Sequence, residues 1–166
     1  MLSIKALHQW SHINEFQVDI GTSEPASLSY LAFEGATKKN KPNIVNGDVV
    51  YAKVITASKD MESELVCVDA YGKKSGLGQL SGGGLLFSVP LHIVRKLLSP
   101  TSVLLQKLGE TLKFEIAIGM NGRIWVRAST SKETIGIANA IWAAEHMTNA
   151  EITVMISKLA DALAGF

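Results

Sequence analysis

The stretch Leu112–Ala128, LKFEIAIGMNGRIWVRA, decides how the second half of the chain is read. It has the pattern of two strands joined by a tight turn. Leu112, Phe114, Ile116 and Ile118 alternate with Lys113, Glu115 and Ala117. After the turn, Ile124, Val126 and Ala128 alternate with Arg123, Trp125 and Arg127. Alternation of this kind marks a half-buried strand, because successive side chains point to opposite faces. The turn admits two registers. A two-residue Asn-Gly turn sets Ile118 against Trp125 and mixes apolar and polar side chains on one face. A three-residue loop, Met120-Asn121-Gly122 with Gly122 left-handed, sets Ile118 against Ile124, Ile116 against Val126 and Glu115 against Arg127. Only the second keeps one face apolar, so it is the register expected. Gly122 is then needed for its positive φ. Trp125 falls on the face away from the core, where it is either covered by protein or offered as a base-stacking platform. Buried aromatics are commoner than such platforms, so packing is the reading taken.

Composition sets the outer bounds. The 166 residues suffice for one domain or two small ones, and 47% hydrophobic residues support a packed core. A net charge of +1 is not the bulk charge of a protein that coats nucleic acid non-specifically, so any RNA contact must come from a local patch. The single Cys67 forms no internal disulfide, which makes a reducing compartment the default, and it builds no cysteine-based metal site. No apolar run reaches the ~18 residues of a membrane span. The opening residues have no apolar core with a small-residue cleavage site, so a signal peptide is not expected.

The first seventy residues hold short strands at roughly ten-residue spacing with few helix signals, a pattern that favours a small barrel. Residues 1–15 stay open: Leu2, Ile4 and Ala6 alternate like a strand, while Ile4, Leu7 and His8 also fit a helix. Strands are expected over Phe16–Ile20, Asp48–Thr56 and Glu64–Ala70. Ser27–Phe33 is a strand or a short turn segment, and Asn46-Gly47 is a turn. Residues 71–84, YGKKSGLGQLSGGG, are glycine-rich and mark the domain boundary, with 76–84 read as a linker. The spacing does not fit a dinucleotide fingerprint, and no Lys-Ser/Thr pair follows.

Beyond residue 85 the pattern changes. After a short strand, Leu85–Val89, Pro90 opens a helix with Leu91, Val94, Leu97 and Leu98 inward and Arg95 and Lys96 outside. A second helix carries Val103, Leu104 and Leu108, with Gly109 as its C-terminal cap. Thr130-x-x-Glu133 and Thr148-x-x-Glu151 are capping boxes. The first opens a helix with Ile135, Ala138, Ile141 and Trp142 inward, and the second a last helix with Ile152, Met155, Ile156, Leu159 and Leu163 at helical spacing. A three-stranded sheet covered on one face by helices accounts for this order, the layout of an α+β type I KH domain.

With the runs FEGATKKNKPN, GDVVYAKV, DMESELVCVDA and IGMNGRIWV, the chain over about residues 16–160 resembles the family of the eukaryotic RNA exosome cap subunit called ribosomal RNA-processing protein forty. The resemblance implies two domains: a small all-β OB-fold barrel of the ribosomal S-one type over 16–75, then a KH-like domain over 85–166. It implies a non-catalytic subunit, not an enzyme. Such a subunit stabilises a ring of RNase-PH-like subunits and guides single-stranded RNA into its pore for 3′–5′ processing and degradation, including rRNA processing. It further implies a place in the nucleus and nucleolus, and also the cytoplasm, with no cofactor, no metal and no membrane partner. The alternative is a stand-alone RNA-binding adaptor with the same two modules. Two features depart from the family's pattern. The stretch Leu98–Ser102, where a KH domain carries Gly-x-x-Gly, has no glycine. Residues 1–15 match neither the family's N-terminal domain nor the barrel's usual opening strand.

Lys38, Lys39 and Lys41 form the leading RNA candidate, on a barrel connection just after Tyr30 and Phe33. Tyr30 sits roughly where many S-one domains carry a His. Positive charge beside aromatic rings suits a single strand; the bland alternative is a solvated loop with Phe33 in the core. Lys73 and Lys74 are the weaker candidates. Gly119, Asn121, Gly122 and Trp125 are read as a structural motif near the contact between domains. His8, His12, His92 and His146 complete no zinc site. No nucleophile, base and orienting residue assemble from the sequence, and Asp69 beside Cys67 is not enough to suggest a reactive thiol.

Overall fold

The computed structural model describes residues 2–12, 15–58 and 60–165, with side chains from Glu15 onward within those ranges. It divides into two compact units, Met1–Ser81 with Gly119–Asn121, and Gly82–Ile118 with Gly122–Phe166.

In the first unit, strands β1 (Leu2–His12), β2 (Glu15–Val18), β3 (Ala26–Ser29), β4 (Val49–Thr56) and β5 (Glu64–Val66) pair in the order β1-β2-β3-β5-β4, and β4 pairs back onto β1. The ring of pairings closes, with β3 and β5 parallel and the other pairs antiparallel. That is the topology of the OB barrel expected from the sequence, and closure leaves fewer unpaired edges. Strand β1 runs antiparallel to both neighbours, with Ile4 opposite Tyr51 and Leu7 opposite Val18. The alternative of a helix over these residues is therefore set aside; the side chains of His8 and His12 lie outside the described residues. Alternation in β4 works as read: Val50 and Ala52 are fully buried while Lys53 and Ile55 face out. They join Val18, Ala26, Leu28, Leu65, Cys67 and Leu77 in one core.

The glycine-rich segment is not all linker. Gly78–Gln79 forms a sixth strand, β6, paired with Val50 and Tyr51 of β4, and Leu77 just before it is buried. Gly76 and Gly78 have φ of 81° and 108°, so the glycines serve a sharp re-entry into the sheet. The segment after β3 turns immediately into a 3-10 turn, Tyr30–Ala32, started by the Ser29 hydroxyl accepting from the Leu31 amide.

The second unit contains β7 (Leu85–Ser88), α1 (Leu91–Leu98), α2 (Val103–Thr111), β8 (Phe114–Ile118), β9 (Arg123–Ala128), α3 (Ser131–Ala143) and α4 (Asn149–Ala164). The sheet runs β7-β9-β8, wholly antiparallel. The hairpin adopts the expected register: Ile118 faces Ile124, Ile116 faces Val126 and Glu115 faces Arg127. Gly122 has φ 81°. Ile118, Ile124 and Val126 meet Ile93, Val94, Leu97, Leu104, Leu108, Ile137, Ile141, Ile152 and Ile156 in a single core, so all four helices cover the same sheet face. Both capping boxes form, Thr130 with Glu133 and Thr148 with Glu151.

Helix phases differ in detail from the periodicity reading. In α1, Ile93 is inward while Leu91 and Leu98 are exposed. Lys96 is not simply outside: its ammonium donates to the carbonyls of Ala144 (2.7 Å) and Met147 (2.8 Å), tying α1 to the end of α3. In α3, Ile137 and Ala140 are buried beside Ala138 and Ile141, and Ile135 and Trp142 lie on the outer side. Thr134 is buried because its hydroxyl is satisfied twice, donating to the Thr130 carbonyl and accepting from the Ala128 amide. Gly109 does not cap α2; the helix continues to Thr111 and the Leu112 amide closes onto Leu108.

These glycines predict opposite substitution effects. A Cβ at Gly122 would sit 2.7 Å from the Val89 carbonyl oxygen at a left-handed φ, whereas one at Gly109 meets nothing within 4 Å. Gly122→Ala is expected to lower stability by about 1–3 kcal/mol. Gly109→Ala is expected to raise it by about 0.5–1 kcal/mol, since only the unfolded chain loses freedom. Urea-unfolding midpoints of the two variants check the signs.

Candidate nucleic-acid interface

The Lys38 cluster sits on a built loop. The Ala36 amide donates to the Phe33 carbonyl, and Thr37 and Asn40 exchange backbone hydrogen bonds of 2.9 and 3.1 Å. The Thr37 hydroxyl also accepts from the Asn40 amide. Lys38 and Lys39 occupy the two central positions of this tight turn, both exposed. Lys41 follows on the descending arm, and its ammonium lies 5.2 Å from the centroid of the Tyr30 ring, within cation–π range. The structure thus brings Tyr30 and Lys41 together. Yet Tyr30 is only 5% exposed, so its ring positions the lysine and is not itself open for stacking. Phe33 meets Phe16 edge-on at 6.4 Å and packs against the barrel core.

Lys73 and Lys74 lie on a second turn, built around Asp69. The Asp69 carboxylate accepts from the amides of Tyr71 (2.8 Å) and Lys73 (2.9 Å) and from the Ser75 hydroxyl. The Ser75 hydroxyl first, then the Lys73 and Tyr71 amides, hold this carboxyl below the usual carboxylate range. The carbonyl and amide of Asp69 bond to Gly72 and Lys73 as well. Ser75 has φ 41°, an uncommon conformation for a residue with a Cβ, and its bond to Asp69 holds it there. The two turns are joined by Glu34, a residue the sequence reading did not single out. Its carboxylate accepts from the Lys74 amide at 3.1 Å and lies 3.8 Å from the Lys73 ammonium. Exposed pairs of this kind contribute about 0–1 kcal/mol, so Glu34 orients more than it stabilises.

In the hairpin, Trp125 is 4% exposed, opposite Leu86 and Ala117. A Cβ at Gly84 would fall 2.3 Å from the indole Nε1, so the ring packs directly over that glycine. Trp125 is therefore covered and offers no open face. Asn121, which clusters with the first unit, donates through Nδ2 to the Ile20 carbonyl there. Between α1 and α2, the connection Ser99–Ser102 is closed by Ser102 donating to the Ser99 carbonyl and by a Ser99–Thr101 hydroxyl bond. A cleft of about 240 Å³ opens beside it, lined by Lys96, Ser99, Thr101, Ser102, Asn149 and Ile152 among others.

His92 bonds Glu145 at 2.8 Å, and His146 lies 3.8 Å from the same carboxylate. Among the described residues no three His, Cys, Asp or Glu side chains converge as a metal site would require, and no helix is long and apolar enough to cross a membrane.

With this geometry in view, two family models match consecutive parts of the chain: the S1 domain of exosome complex component RRP40 over residues 5–78, and a KH domain over residues 84–132. Proteins named exosome complex component RRP40 are 51% identical in mouse and 50% in human over 146 residues, which is 88% of this chain. The budding-yeast protein of the same name is 42% identical over 72% of the chain. The chain belongs to the RRP40 family. It spans about half the length of these relatives, 53% of the mouse and human proteins and 50% of the yeast one. A crystal structure described as an exosome complex RNA-binding protein has the same fold, with a TM-score of 0.75 at 20% identity over 95% of this chain and 92% of that one.

Within the RRP40 framework, Cys67 belongs to the S1 barrel core. Burial pushes its thiol up to about 12, against smaller lowering effects from the Gly78 backbone and Lys74. A thiol so placed is a poor nucleophile. Cys67 is expected to resist Ellman's reagent at pH 8 in the folded chain and to react at once in urea. Because the folded value lies above the ordinary 9.0, its contribution to stability is intact below pH 9 and declines as pH rises toward 12. A Cys67→Ala chain, compared in alkaline melts, should lack that part of the decline.

Proposed function

We propose that this chain is a non-catalytic RNA-binding cap subunit of the RNA exosome, holding a ring of RNase-PH-like subunits together and guiding single-stranded RNA toward it. The observation that carries the reading is the pair of preorganised basic turns on the OB barrel. They place Lys38, Lys39, Lys41, Lys73 and Lys74 on rigid backbone in a chain whose net charge is only +1. Fixed turns spare the binding step the cost of ordering a loop, so a few lysines can track a phosphate backbone. Tyr30 serves by seating Lys41. Relatives named as exosome components support the assembly part of the reading. No catalytic duty is assigned to this chain; degradation belongs to other subunits. The reading places the protein in the nucleus and nucleolus, and also in the cytoplasm, where its RNA substrates occur.

We read the turn Gly119–Gly122 as a structural element that the Asn121 bond to the Ile20 carbonyl helps to hold, and Trp125 as a packing residue seated over Gly84.

Changing Lys38, Lys39 and Lys41 together to Ala is expected to weaken binding of a labelled single-stranded RNA and to lower the slope of log affinity against log salt by roughly one to two units. Fluorescence anisotropy across a salt series measures both. An unaltered slope would move the phosphate-tracking surface elsewhere. Copurification from cells tests the assembly: ring subunits should be recovered with the chain.

A further inference from the structure

The aromatic partner of the basic turns remains to be found. Tyr30 is buried beneath Lys41, Phe16 and Phe33 pack on each other, and Tyr51 is half-buried. Among the described aromatic residues of the first unit, one stands free. Tyr71 is 90% exposed, at the crest of the turn that Asp69 organises. An exposed tyrosine on a floppy loop would be unremarked. This one is on backbone fixed by an unusual density of bonds. Its own amide is held by Asp69, Gly72 after it takes φ 73°, and Ser75 is kept left-handed by the same carboxylate. The left-handed Ser75 is a strained position of the kind that persists only where the surroundings over-determine it and that gathers at functional sites. Lys73, two residues on, is positioned by Glu34, whose turn leads directly into the Lys38–Lys39 loop.

We propose that Tyr71 is a base-stacking platform: an unpaired base of single-stranded RNA lies on its ring while the lysines of the two adjoining turns hold the flanking phosphates. This assignment rests on the RNA-binding reading above and adds the residue that reads a base face. Stacking suits a ligand of mixed sequence, because every base has a π face. The large exposed ring also accounts for a feature otherwise without a purpose, since it contributes nothing to the barrel core.

The test uses the full chain, with Tyr71→Leu and Tyr71→Trp, and a fluorescein-labelled single-stranded RNA of about twelve nucleotides together with the same backbone made abasic. Tyr71→Leu should weaken binding of the base-bearing RNA roughly 5- to 150-fold, the range of one stacked base. It should leave abasic binding and the salt slope as in the unmodified chain, because no charge is lost. Tyr71→Trp should retain or improve affinity. Equal affinity of the Leu variant and the unmodified chain, with the triple-lysine variant still impaired, would overturn the stacking role and leave the RNA reading standing. Loss of ring-subunit recovery with RNA affinity intact would assign Tyr71 to a protein contact instead. Failure of the unmodified chain to bind RNA would remove both.

Discussion

The second domain is organised by one left-handed residue. Gly122 at φ 81° ends the four-residue connection from Gly119, and that connection sets the register of β8 on β9. A slip of one residue would turn every side chain of one strand to the other face. With the register fixed, Ile118, Ile124 and Val126 share a face, and four helices bury themselves against it. The same choice sends Trp125 to the opposite face, where the indole lies so close to Gly84 that no side chain fits there. Two glycines far apart in sequence are thus tied together: the first is needed for its backbone angle, the second for the space a ring occupies. The Val89 carbonyl packed against Gly122, and the Val89 amide bonded to the Gly122 carbonyl, lock the start of α1 to this turn.

The first domain uses a different device. Its connections are held by side chains that imitate backbone partners: Asp69 gathers three donors, Thr37 caps its own turn, and Asp48 accepts from both the Val45 amide and the Gln79 side chain. Asp and Thr suit this task because their short polar side chains reach nearby amides. Lysines projecting from such turns keep exposed side chains on hydrogen-bonded backbone. Under the proposed function, that arrangement suits an extended polyanion, whose phosphates need charges held near its path.

The sequence made the period of each element legible and left its phase less so. Alternation in Asp48–Thr56 and Leu112–Ala128 matched the observed faces because a period of two admits no drift. The helices were harder. In α1 and α3, Leu91, Leu98, Ile135 and Trp142 are all apolar, yet all are exposed. Helical spacing shows that an apolar stripe exists but does not tell which edge of a wide stripe meets the core. Lys96 was read as outward from its charge, and it instead spans to two carbonyls at the end of α3, a use of a long side chain that no local pattern reveals. The glycine-rich segment read as a linker because composition cannot show that Leu77 is buried and that Gly78–Gln79 adds to a sheet whose other strands lie far away in sequence. At the candidate site, Lys38, Lys39 and Lys41 were visible as a cluster. Glu34 was not, since its role depends on a contact forty residues distant. Tyr30 was noticed for its ring, but burial is a tertiary property and reverses what that ring can do.

The helical domain also bears on where a strand of RNA can be held. A glycine-rich helix connection grips a nucleic-acid backbone because nothing beyond the main chain stands between its amides and the phosphates. Here the corresponding connection is Ser99-Pro100-Thr101-Ser102. Every position carries a Cβ, and Pro100 has no amide hydrogen to offer. The Ser99 carbonyl accepts from the Ser102 amide, and the Ser99 hydroxyl bonds that of Thr101 and accepts from its amide at 3.4 Å, so the Thr101 and Ser102 amides are both engaged within the connection. The Lys96 ammonium, the nearest cation lining the adjacent cleft, is engaged by two carbonyls. Phosphate binding by the Thr101 or Ser102 amide would require breaking a bond that closes the loop. On the barrel, Lys38 and Lys39 stand exposed on a turn that is already complete without them. Under the proposed function, RNA contact therefore falls to the barrel, and the KH-like domain is left to act through its packing.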